Sequence, residues 1–175
     1  MVNYSYRSRF FSKSAYTLMV RLFAPALAFE MIGSTGLILS MGIHYLLTNM
    51  VSWSLHFNNT FSPWLRIRMA FVAMLVGGII LTFGAIYSQI ILVVAASGIF
   101  GVYESLFWTS FHHVREKENG STEGDTARWN IFEKLIAALF LFAASLFSDY
   151  QAPEFCMALG LGFAIIGIFS TKNGQ

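Results

Sequence analysis

Glu104 lies inside a long apolar run, and its neighbours at helical spacing are Ser97, Gly101, Trp108 and His112, with Arg115 beyond. At 3.6 residues per turn these fall within about a quarter of a helix circumference. An ionisable side chain among hydrocarbon groups is costly unless it faces a bundle interior or a wet cavity. A carboxyl group so placed can take up and release a proton, with His112 passing protons onward and Trp108 beside it. Ser97 and Gly101 would let a second helix approach closely. The plainer alternative is a structural Glu104 bonded to a Tyr, a Ser or Arg21.

A second stripe reads Ser40, His44, Thr48, Ser52 and His56, at successive spacings of four. Such a ladder makes one slowly drifting band along a helix. It is either a wettable wall with a proton-accessible His44, or a set of hydroxyls bonding their own backbone with one histidine capping a neighbour. His56 falls near a span end and reads as interfacial. Glu30 and Arg21 complete the candidates: Glu30 near the outer end of the first span, Arg21 nearer the inner face where it can snorkel. On an ideal helix these two point opposite ways, so they are not an obvious pair. Glu133 and Lys134 read as interfacial anchors.

The chain that must position these groups has 175 residues, 56% of them hydrophobic and 11% charged. A soluble domain carries about a quarter charged residues. A spanning helix needs roughly 20 apolar residues. Six spans are expected, over residues 14–33, 36–57, 64–87, 90–113, 129–149 and 155–170, with a hydrophilic loop at 114–128. Together they form a single all-α transmembrane domain. Every basic residue (Arg7, Arg9, Lys13, Arg21, Arg66, Arg68, Arg115, Lys117, Arg128, Lys134, Lys172) then falls on one side of the membrane. The opposite turns, around Ser34, Ser88 and Gln151, have none. Short basic loops stay inside, so both termini are expected in the cytoplasm of a cell (inner or plasma) membrane. Proline 25 should kink the first span. No cleaved signal peptide is expected, and the lone Cys156 leaves no internal disulfide.

The third and sixth spans contain no charged residue or histidine in their apolar runs. The first, second, fourth and fifth should therefore face a pathway or partner, with the other two facing lipid. Small residues recur as packing seams: Ala70, Gly77 and Gly84 on the third span, and Ala158, Gly160, Gly162 and Ala164 on the sixth. No phosphate loop, nucleophile elbow or metal-ligand spacing occurs, and adjacent His112 and His113 point to different helix faces. The chain is not expected to be an enzyme, to hold a cofactor or metal, or to bind nucleic acid.

Six spans with both ends inside, basic residues after the second and a hydrophilic loop after the fourth resemble one half of a major facilitator superfamily transporter. The nearest local likeness is LFWTSFHHVREKENGSTEGDTARWN (106–130), similar to bacterial members where Trp and then Phe-His end the fourth helix. The segment SLHFNNTFSPWLRIR keeps Arg66 and Arg68 but lacks the glycines and aspartate of the family's gating motif. The resemblance implies that the first and fourth helices line a substrate cavity and the second and fifth form the seam between halves. A full transporter has two such halves about an axis along the membrane normal. The expectation is a parallel homodimer in the lipid bilayer that moves a small solute by alternating access, with proton coupling through Glu104. A non-transporting membrane subunit or assembly factor, and an inert half of a longer carrier, are the rival readings.

Overall fold

The computed structural model describes residues 4–57, 61–119 and 152–171, together with Leu135 and Ala138. The expected fifth span and most of the charged loop lie outside these residues. Among the described residues the chain is all-helical: α1 (Tyr4–Tyr16), a π-helical stretch (Thr17–Phe23), α2 (Ala24–Phe57), α3 (Pro63–Ile86), α4 (Ile90–Asn119) and α5 (Ala152–Ser170). Three helical stretches among the described residues are long and apolar enough to cross a membrane: Ser8–Phe57, Pro63–Ile86 and Ile90–Val114. They fit a chain embedded in a membrane.

The first of these stretches folds back on itself. Ile32 (φ −141°, ψ 25°) and Gly33 (φ 66°, ψ −149°) leave helical geometry inside α2. Gly33 sits where essentially only glycine is comfortable. The rings of Tyr16 and His44 are 6.5 Å apart, whereas a straight helix would separate those residues by roughly 42 Å. The two limbs thus run antiparallel, with Gly36 against the Ala28 carbonyl so closely that any Cβ would collide. The reversal falls at the start of the turn expected from Gly33-Ser34-Thr35-Gly36, and Ser34 onward is already helical.

The kink expected at Pro25 takes the form of a π-helix. Proline offers no N–H to the carbonyl four residues back and its ring crowds that carbonyl. The preceding turns re-register, and the Ala24 N–H donates to Met19 O, five residues away. Ser62 caps α3 by accepting from the Leu65 N–H at 3.3 Å, with Pro63 at the first helical position. Tyr87 to Gln89 make the tight turn into α4, closed by Gln89 N–H donating to Gly84 O at 2.9 Å.

Helix α4 is central, packed on α2 at one side and α3 at the other. Phe100, Tyr103, Phe107 and Phe111 of α4 are buried, Phe107 meeting Phe71 of α3 edge-on at 5.9 Å and Tyr103 donating to the Ser12 carbonyl of α1 at 3.2 Å. On α3, Ala70, Gly77 and Gly84 are all buried, and Gly77 lies under the Phe100 ring. Gly160 on α5 packs against Met19, whereas Gly162 has nothing near it and Ala158 is exposed. The outward faces of α3 and α5 are apolar, with Val72, Val76, Ile79, Phe83, Ile165 and Phe169 exposed. Three boundaries differ from the sequence expectation: α5 begins at Ala152, three residues before the expected 155, with Pro153 in its first turn where proline is tolerated. The N-terminal lead-in is helical from Tyr4, and α4 runs past residue 113 to Asn119. Polar surface does not stop a helix whose backbone bonds are satisfied within it.

Candidate functional site: a carboxylate–imidazole pair between the helices

The two polar stripes face one another. Ser40 Oγ lies 2.6 Å from Ser97 Oγ, and Ser97 spends its own hydrogen on the Val93 carbonyl at 3.0 Å, so Ser40 is the donor between them. Thr48 Oγ1 faces the carbonyls of His44 (2.9 Å) and Gly101 (3.2 Å). Ser52 and Ser105 hydroxyls meet at 2.7 Å. Gly101 makes this contact possible, because a Cβ there would strike the His44 carbonyl. Of the readings left open for the ladder, the hydroxyl bonded to its own backbone is seen at Thr48, which also ties α2 to α4, and His44 reaches a carbonyl of the neighbouring helix.

At the middle of the seam His44 Nε2 lies 2.7 Å from Glu104 Oε2, and the two side chains are 8% and 24% exposed. Tyr16 donates its hydroxyl to the same Glu104 oxygen at 3.2 Å. His44 Nδ1 is 3.2 Å from the Ser97 carbonyl oxygen. A carbonyl only accepts, so Nδ1 carries a hydrogen. The Nε2–Oε2 contact then holds one further proton, either as imidazolium facing carboxylate or as neutral imidazole facing carboxylic acid. With no proton there, two lone pairs would oppose each other at hydrogen-bond distance. Loss of that proton must therefore push His44 and Glu104 apart.

Arg21 completes the group. Its guanidinium lies over the Tyr16 ring, 5.4 Å from the centroid. In an α-helix, residues five apart point about 140° away from each other. The π stretch, at roughly 4.4 residues per turn, cuts that angle to about 50°. Pro25 thus sets Arg21 on Tyr16 through the register change it causes. A cavity of about 380 Å³ opens between the limbs of α2, the π stretch and α4, lined by Tyr16, Arg21, Pro25, Ser40, His44 and Tyr45 among others. Glu104 stands behind this wall and reaches it through His44 and Tyr16.

Of the candidates read from sequence, Glu104, His44 and Arg21 come together. Trp108 belongs to another group, beneath the Lys13 ammonium (4.7 Å) and beside Phe107 and Phe111. His112 is exposed against Trp108, with ring centroids 5.9 Å apart. Glu30 is exposed near the reversal of α2. The sequence reading did not single out Tyr16 or the buried pair Ser12 and Tyr103, which share a hydrogen bond. A tyrosine five residues before an arginine, with proline four beyond, was the signal for the first of these. Among the described residues no three His, Cys, Asp or Glu side chains converge on a point that could hold a metal. No family model matches the chain, and no curated protein or solved structure matches it either.

Proposed function

We propose that this chain is a half-size transporter: six spans with both termini inside, working as a parallel homodimer that moves a small solute by alternating access. The reading rests on one observation, the Glu104–His44 contact tied to Tyr16 and set against a cavity within apolar helices. Intramembrane ionisable groups that converge on a cavity are the usual marks of a substrate or proton pathway. The single proton between Nε2 and Oε2 supplies the coupling. Protonated, the contact holds α2 to α4. Deprotonated, it repels, and the seam yields where Gly101 and Thr48 meet. A ligand or proton that favours one arrangement shifts the population toward it. The likeness to half of a major facilitator superfamily carrier supports the arrangement of spans.

The test is transport by reconstituted protein in liposomes across a panel of labelled solutes, with and without a pH gradient. Glu104→Gln keeps a hydrogen-bonding group of the same size but cannot exchange the proton. It is expected to retain solute exchange between compartments while losing accumulation driven by the pH gradient. Accumulation equal to that of the unaltered chain rejects Glu104 as the coupling group. The contact would then be a structural clamp, as a non-transporting subunit would use.

A further inference from the structure

The cavity beside the Glu104–His44 pair has polar groups in its wall, and most of their hydrogens are spent within the protein. Tyr16 gives its hydroxyl hydrogen to Glu104, Ser40 gives its own to Ser97, and Ser97 gives its to the Val93 carbonyl. His44 commits both ring nitrogens, one to the Ser97 carbonyl and one to Glu104. Arg21 differs. Its side chain is exposed at the cavity, with the guanidinium over the Tyr16 ring, 5.4 Å from the centroid. A guanidinium carries five N–H donors, and attraction to a ring face leaves them able to bond a guest. The His44–Glu104 contact with its one proton has no net charge in either form, so it cancels none of the charge on Arg21. A cation within an apolar helical stretch is costly unless it faces a cavity or a partner. The π stretch before Pro25 is what sets this one at the cavity, and such stretches recur at functional sites.

The other described lining residues offer a different surface. Val20, Pro25 and Met41 are apolar, and the Tyr45 ring stands edge-on to His44 at 5.3 Å. At about 380 Å³ the cavity falls within the range of roughly 300–1,000 Å³ usual for small-molecule sites. Resting on the transport reading above, we infer that the solute is a small organic monocarboxylate, its carboxylate on Arg21 and its apolar or aromatic body against Pro25, Met41 and Tyr45. Two N–H groups of one arginine match the two oxygens of a carboxylate. One guanidinium balances one negative charge, and a second charge on the guest would exceed it. The flexible Met41 side chain adapts to the shape of the body.

The experiment uses the full chain in phosphatidylcholine nanodiscs, with 3-phenylpropionate as the probe. It is titrated by calorimetry beside 3-phenylpropionamide, 3-phenylpropylamine and propionate, against empty discs. The native chain is expected to bind the aromatic acid at least about ten-fold tighter than the other three, the scale of a charge-assisted bond. Arg21→Gln and Tyr45→Leu change exposed side chains and are expected to stay folded, as thermal unfolding would confirm. Arg21→Gln should erase the preference for the acid over its amide. Tyr45→Leu should instead reduce the preference over propionate and keep that over the amide; a merely structural arginine or tyrosine would move neither preference. An amine bound as tightly as the acid, or a folded Arg21→Gln chain binding like the native one, overturns the site. Loss of binding when phosphatidylglycerol is added to the discs also overturns it, because the guest would then be a lipid headgroup. Binding without uptake of labelled 3-phenylpropionate into liposomes would contradict transport and uphold the site. Uptake of other solutes with no carboxylate bound would do the reverse.

Discussion

At the scale of single residues, the seam between α2 and α4 is an arrangement of unequal bonds, and their inequality can be measured. His44 gives Glu104 its shortest contact, at 2.7 Å, and Tyr16 a longer one, at 3.2 Å. Removing one partner of a part-buried pair leaves the other group without its hydrogen bond or counter-charge and costs about 3 kcal/mol. Losing a hydroxyl donor costs about 1 kcal/mol. His44→Leu should therefore destabilise the folded chain in micelles about three times as much as Tyr16→Phe. Adding Glu104→Gln to His44→Leu should recover part of the loss, because the acid left without its partner is gone. Equilibrium unfolding of the four chains checks this, and equal costs for the two single variants would contradict the ranking of the two contacts. That Glu104 and His44 would each need a partner was legible from residue type alone, since an acid and an imidazole in apolar runs need company. Their pairing was not, because the stripes gave each helix a polar face without saying which faces meet.

At the scale of elements, close approach is set by what glycine leaves out. A Cβ on Gly101 would run into the His44 carbonyl, which is backbone and cannot rotate away, while Gly42 has nothing within 4 Å. Gly101→Ala should separate α2 from α4 and cost about 1–3 kcal/mol. Gly42→Ala should be neutral or stabilising by up to about 1 kcal/mol, since alanine is the better helix former. Thermal unfolding of the two variants decides, and a Gly101→Ala chain as stable as the native one would mean that the seam is loose. The turns at Gly33 and at Ser88-Gln89 were readable because small and polar residues interrupt apolar runs there. The π stretch was hidden, since a proline announces a kink without telling whether the helix bends or widens. That choice places Arg21 over Tyr16 instead of on the far side of the helix, so it decides what the cavity contains.

For the whole molecule, the eleven Lys and Arg residues and the apolar helices together argue for one orientation in the membrane. The described helices leave a broad face of α2 uncovered, with Met41 and Tyr45 exposed at the cavity and Met50, Trp53 and Phe57 exposed further along the helix. A parallel twin would close the cavity there, setting like ends of the two chains side by side. Trp53 is 71% exposed and stands near the basic end of α2, so a spin label on it reports the arrangement directly. With Cys156 replaced by Ser and Trp53→Cys labelled, pulsed dipolar spectroscopy in nanodiscs should find two spins per particle. Their separation should be shorter than the hydrocarbon thickness of about 30 Å. Uncoupled spins, or a separation at or beyond that thickness, would mean a lone subunit or an inverted pair and would contradict the shared cavity.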